Sequence, residues 1–420
     1  MKTTSTQRPM TWRYFVLSGL LAGGATLSAC SQATPAAAPT PQPTATATAT
    51  VAATLSSATK AAGLRAALDN LLQEHVYLAG AATGAALGGR DPEFKAAADA
   101  LDKNSVAIAK AIGSVYGADA EKVFLPSWRT HIGMFVDYTM GVAGKDQAKK
   151  DKAIADLTSY AKDFDALLTS LNPNLPKGAV ADLLKPHVGT LTSAIDAQGA
   201  GDVTKAYASL REAAGHMHMI GDPLAAAIAK QFPQQFPGDA MARGAGLRAG
   251  MNQALQEHVY LAAAATGAAL GGRDTEFKAA ADALDKNSVD IARTIGTAYG
   301  ADAEKAFLPL WRTHIGMFVD YTLGVASNDA AKKEKAVADL TGYAKDFDAF
   351  LSGANEHLPK GAVAELLKPH VGTLAAVVDA QGSKDYGKAY TALLEAAHHM
   401  AMIADPLADA TVKKFPAKFN

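Results

Sequence analysis

Residues 128–138, reading Trp-Arg-Thr-His-Ile-Gly-Met-Phe-Val-Asp-Tyr, recur unchanged at 311–321. The histidine of that stretch belongs to a shorter series as well, because one 56-residue step leads from His75 to His131 and the same step leads on to His187. His258, His314 and His370 repeat the series in the second half. Two nested periods, the longer carrying 128 to 311 and the shorter carrying His75 to His131, restrict the chain to a duplicated domain, each copy built from three like units. Residues 94–106 match 277–289 letter for letter, and 183–191 match 366–374. The three units inside a domain have diverged almost beyond recognition, yet the histidine stands in all of them.

The unit is read as an αα-hairpin. Leu71, His75, Leu78 and Ala82 follow the spacing of one helical face, Gly88-Gly89 stops the helix, and Asp91-Pro92-Glu93 restarts the next one with a cap and an acidic first turn. Alanine dominates long stretches, which suits closely packed helices and not strands. The same step places the second hairpin at about 118–171, turning at Gly144-Lys145-Asp146, and the third at about 176–231, turning at 199–202. The expectation is an all-α chain of two tandem six-helix domains, 59–231 and 244–420, joined by a linker over 232–243. Pro126 and Pro186 precede His131 and His187, and either kink those helices or mark later starts.

The segment 1–58 lies outside this pattern. Lys2, Arg8 and Arg13 precede a short apolar run ending in Leu27-Ser28-Ala29-Cys30, and Cys30 is the single cysteine of the chain. That ending resembles the lipobox of bacterial lipoproteins. The resemblance implies a signal peptide over 1–29, a lipid on Cys30, a membrane anchored through that lipid, and a location outside the cytoplasm. Residues 31–57 consist of Ala, Thr, Pro, Ser, Gln, Val and Leu. They have no charge and no amphipathic period, and they predict a disordered tether within the segment 30–58. A net charge of −1 and a pI of about 6.8 supply no basic field for nucleic acid. The protein partner is left unknown.

The histidines carry the functional argument. A single histidine on an apolar face is usually a core residue. Three at equivalent positions of three hairpins converge if the hairpins surround a common axis, and imidazoles so buried need partners. A zinc or copper ion satisfies three neutral imidazoles at once. In the sixth helix His216 and Met219 are i, i+3 neighbours, repeated as His399 and Met402, and they are the candidate fourth ligands. An imidazole with a thioether favours copper, so copper comes first and zinc second. The corresponding function is storage, buffering or delivery of the metal. The alternative is a structural or adhesive module whose histidines are core residues. HExxH, GxSxG, P-loop, GxGxxG and CxxCH patterns are absent from the part of the chain after Cys30, so no enzyme is expected.

The hairpins also resemble an uncharacterised helical domain of exported bacterial proteins. There a Glu-His pair opens one helix, an Asn precedes an Ile, and Gln-Phe-Pro closes the domain. Here these are Glu74-His75, Asn104 with Ile108, and Gln231-Phe232-Pro233, while the second domain ends in Lys414-Phe415-Pro416. The resemblance supports the domain boundaries and implies no chemistry.

Overall fold

A computed structural model describes residues 54–419; the expected signal peptide, Cys30 and most of the tether lie outside the described residues. Among these, regular structure is helical throughout, as the alanine content and the capping signals predict. The first half comprises α1 (Lys60–Leu87), α2 (Asp91–Tyr116), α3 (Ala118–Gly144), α4 (Gln147–Leu171), α5 (Ala179–Ala200), α6 (Val203–His216) and α7 (His218–Gln231). The second half repeats them as α8 (Arg243–Leu270), α9 (Asp274–Tyr299), α10 (Ala301–Ala326), α11 (Ala330–Ala354), α12 (Ala362–Gly382) and α13 (Tyr386–Lys414), with a short α14 (Pro416–Phe419) at the end.

Local chemistry sets the helix ends. The Thr59 hydroxyl accepts from Ala62 N–H at the start of α1, and Asp146 and Asp202 accept from Lys149 and Lys205 N–H at the starts of α4 and α6. Gly117, at φ 91°, makes the turn between α2 and α3 that a side chain would strain. Pro126 and Pro186 sit inside α3 and α5, so they do not mark later starts.

One expected helix divides. The counterpart of α13 in the first half breaks at Met217 into α6 and α7, where bonds of the tighter i to i−3 kind take over, Met217 N–H to Ala214 O and Ile220 N–H to Met217 O. Gly215 stands there where the second half has His398, and glycine weakens a helix interior.

The periodicity of α1 is also different from the expected single face. Every residue from Leu72 to Gly80 is buried, and the equivalent run of α8 is buried likewise. A helix buried on all sides shows no amphipathic stripe. Helix α1 is enclosed by α2, α5, α6 and α7 of its own half and by α8 of the other. The two halves therefore meet along α1 and α8, with α2 against α13 and α6 against α9, and one apolar core runs through both.

The segment between the halves is packed too. Phe232 and Phe236 lie against Ala61, Leu68 and Ile228, and Arg65 donates to the Ala240 carbonyl at 3.1 Å. The last residues of the expected tether are ordered as well. Ser56–Ala58 forms a 3-10 turn, and buried Ser57 donates to Asp409 at 2.6 Å.

Candidate metal centre

Each hairpin delivers its histidine from its first helix: His75 from α1, His131 from α3 and His187 from α5. In the second half α8, α10 and α12 carry His258, His314 and His370. The even register of the sequence thus becomes convergence in space. In each half one ring nitrogen from each of the three imidazoles lies within 4.8 Å of the other two. His75 Nε2 and His131 Nε2 are 3.4 Å apart, and His258 Nε2 and His314 Nε2 are 3.3 Å apart. Two ligands at 2.0–2.1 Å on a tetrahedral ion are separated by about 3.3–3.4 Å, so this edge has the length of a tetrahedral site.

All six rings are at most 5% exposed. Burial, followed by the neighbouring histidines, holds His75 and His258 well below the ordinary imidazole range. Burial and then His187 lower His131 to about 3, and burial and then His216 lower His187 to about 4; His314 and His370 follow them at about 3 and about 4. Neutral imidazoles are the form that binds a metal. Nδ1 of all six rings has no hydrogen-bond partner. The Trp128 carbonyl, one turn before His131, comes close enough to favour its protonated ring but misses hydrogen-bond geometry.

The expected fourth ligands are not brought to the cluster. His216 directs Nε2 to the Leu183 carbonyl at 3.0 Å, and His399 directs Nε2 to the Leu366 carbonyl at 2.8 Å. These are helix-to-helix hydrogen bonds. Met219 and Met402 are 47% and 59% exposed, because the faces of α7 and α13 they occupy turn to solvent. The buried thioethers next to His216 and His399 in the chain are those of Met217 and Met400, which line a cavity beside the histidines, joined in the second half by Met251 of α8. Helical spacing could not separate these methionines, since either lies near a histidine in sequence.

That cavity adjoins His131 and His187 in the first half and His314 and His370 in the second. Besides the histidines, the polar groups of its wall in the first half are Trp128 and Tyr160. Their counterparts Trp311 and Tyr343 are joined in the second half by Thr294, Tyr299 and Thr411, whose hydroxyls bond to one another, to backbone or, for Tyr299, to the Asn355 amide as well. The indole Nε1 of Trp128 and Trp311 and the phenol oxygen of Tyr160 and Tyr343 are buried without a hydrogen-bond partner. The Ser127 hydroxyl approaches Tyr160 without meeting hydrogen-bond geometry, and Leu310 takes its place in the second half. The sequence signal for the tryptophan was its position three residues before the histidine, one turn away on the same face.

The residue before the first histidine of each half has a role that spacing alone did not show. Asn104 donates to Glu74 at 2.9 Å and to the Leu71 carbonyl at 3.0 Å, locking α2 onto α1 beside His75. Asn287 repeats this on Glu257 at 2.7 Å. Comparison of the chain with protein-family models, with curated proteins and with solved structures finds no match. Of the motifs that resemble an exported helical domain, Glu74 and Asn104 make a contact that holds α2 on α1.

Proposed function

We propose that each half binds one metal ion through its three histidines, so that a chain carries two. The observation that supports this is the convergence of three buried imidazoles with an Nε2 to Nε2 edge of 3.3–3.4 Å. Zinc(II) now leads, with copper second. Without Met219 and Met402 the softer donor set that put copper first is lost, and three neutral imidazoles, one pair of them at the length of a tetrahedral edge, suit an ion with no preference of its own for geometry. The depth of burial favours a resident ion over a cargo that is quickly passed on, since release requires the bundle to open.

In this reading the protein is a lipoprotein outside the cytoplasm, held at a membrane by lipid on Cys30. Among the described residues no helix is long and apolar enough to cross a membrane. Changing Cys30 to Ala should release the protein from membranes, and wild-type protein found soluble and without lipid would remove this part of the reading.

The rival is a structural module in which the histidines are bonded to one another, and the His75 to His131 contact favours it, since one tautomer of each ring makes it a hydrogen bond. Metal analysis after equilibration with zinc(II), and separately with copper, separates the two. Two equivalents per chain are expected, falling to one in His131→Ala and to none in His131→Ala with His314→Ala. Trace metal in the wild type, with a melting temperature indifferent to added ion, would leave the structural reading.

A further inference from the structure

Resting on that reading of the triple-histidine sites, we infer that the fourth position on each metal is open to an exogenous small anion, held by the tyrosine and tryptophan of the adjoining cavity. Three observations lead there.

First, the donor set is incomplete and neutral. Among the described residues no further histidine, cysteine, aspartate or glutamate joins either group of three. Three neutral imidazoles leave the full charge of a divalent ion in a buried apolar site, and an uncompensated charge there is costly. An anion on the fourth position lowers that charge.

Second, the space beside the cluster is where such a ligand would lie. The cavity reaches His131 and His187 in one half and His314 and His370 in the other, while His75 and His258 are not among its walls. A fourth ligand lying in this cavity would stand beside two of the three histidines of each group.

Third, the walls of each cavity hold two polar side chains besides the histidines that lack a partner. Trp128 and Tyr160 are 6% and 8% exposed, and Trp311 and Tyr343 have the same values. An indole N–H only donates, and a phenol O–H donates readily. A buried donor left unpaired is costly. An acceptor on the metal would satisfy both, and the apolar remainder of the wall limits it to a small one: hydroxide, a halide, or a linear ion such as azide.

The full chain loaded with cobalt(II) tests this, because the visible bands of tetrahedral cobalt report its ligands. Azide is the probe. Saturable change of the bands on adding azide is expected. Tyr160→Phe with Tyr343→Phe should weaken azide binding about tenfold, the loss of one hydrogen bond of about 1.4 kcal/mol, and leave cobalt affinity nearly unchanged. The substitution keeps the ring, so the fold is retained. Bands that azide and chloride leave untouched, but that shift in Met217→Leu with Met400→Leu, would overturn the inference by showing a thioether in the fourth position. Equal azide affinity in wild type and the tyrosine variant would overturn the role of the hydroxyl. A chain that develops no cobalt bands before azide is added would defeat the metal reading itself, and this inference with it.

Discussion

Tyr77 and Tyr260 stack face to face where α1 meets α8, their ring centroids 5.2 Å apart and their planes 5° from parallel. Each gives its hydroxyl to the glutamate of the other half, Tyr77 to Glu257 at 2.6 Å and Tyr260 to Glu74 at 3.0 Å. Both glutamates are buried and each directly precedes a cluster histidine, so the junction of the halves and the two histidine groups share the same turns of helix. The cations that balance the carboxylates differ. Arg211 makes a two-pronged pair with Glu257, at 2.8 and 3.0 Å, whereas His398 reaches Glu74 at 2.9 Å.

Removing the hydroxyls tests the junction. Tyr77→Phe and Tyr260→Phe should each lower stability by about 1.5–3 kcal/mol, the usual worth of a hydrogen bond to a charged group, while the stacked rings remain. Urea denaturation of the single and double variants measures it. Losses of only a few tenths would show that the glutamates find other donors.

The cations should not be equivalent. Arg211→Leu leaves Glu257 buried beside no cation and should cost about 3–5 kcal/mol. His398→Leu should cost less at neutral pH, because its side chain is 57% exposed and water reaches the pair. The hydrogen bond to Glu74 raises the His398 pKa above 6.5. Its contribution is thus complete below 6.5 and lost as pH rises through the raised value. The stability difference between wild type and His398→Leu should shrink on going from pH 6 to pH 9; a difference that grows would contradict the assignment.

A chain cut between the halves should not yield two indifferent domains. The fragment 54–238 would expose the α1 face that α8 covers, including Tyr77 and Glu74. It is expected to self-associate through that face or to melt well below the full chain, and to reassociate with 239–420 when the two are mixed. Sedimentation and circular dichroism decide. A monomeric fragment as stable as the whole would show that the junction contributes little.

Acid should unfold the metal-free protein early. The six cluster histidines have folded pKa values depressed from 6.5, to about 3 for His131 and His314 and about 4 for His187 and His370. Below 6.5 the unfolded chain binds protons that the folded one refuses, so stability falls from about pH 6.5 down to about 3. Bound metal opposes this: an ion at a thousandfold excess over its Kd adds about 4 kcal/mol per site. Melting curves at pH 5 and pH 7.5, with and without zinc, should therefore diverge more for wild type than for His131→Ala with His314→Ala.

The duplication contains its own control for one buried acid. Asp69, beside Asp222 and Arg65, has its pKa raised to about 9, by burial first and by Asp222 next. The second half has Asn252 at that position, donating to Asp405 at 2.8 Å. Protonated Asp69 is the acid counterpart of that amide. Folding takes up this proton between the ordinary carboxyl value and about pH 9, so stability falls as pH rises across that window. Asp69→Asn should remove the loss and raise the melting temperature at pH 8 by about 1–2 °C, the shift for roughly 1 kcal/mol in a chain longer than the 150–250 residues for which it is about 2–4 °C. An unchanged or lower melting temperature would mean that Asp69 is ionised.

The hairpins, their turns and the convergence of the histidines were legible because they are written as registers. An even repeat of one residue type at one helical position survives any rotation of the helices, so equivalent positions meet if the hairpins share an axis. What could not be read was which way each remaining face turns. The expected pair of His216 and Met219 is split by the break at Met217: His216 ends α6 bonded to the Leu183 carbonyl, Met219 in α7 turns to solvent, and Met217 between them is on the buried side. Leu71, His75, Leu78 and Ala82 mark one face of α1, yet every residue from Leu72 to Gly80 is buried, because α8 of the second half covers what the first half leaves open. The unpaired polar atoms of Trp128 and Tyr160 and the shared carboxylate of Glu74 show only in space.

The joining of two like halves in one polypeptide has a further consequence. In a dimer of identical chains every substitution appears twice, related by the symmetry axis, and a change that suits one side must be tolerated on the other. Here Arg211 stands where the other half has Leu394, and His398 stands where the first half has Gly215. A strong, permanent cation guards one buried glutamate and a titratable one guards the other. Fusion has let the two sites of one molecule drift apart in their response to acidity while keeping the same three histidines.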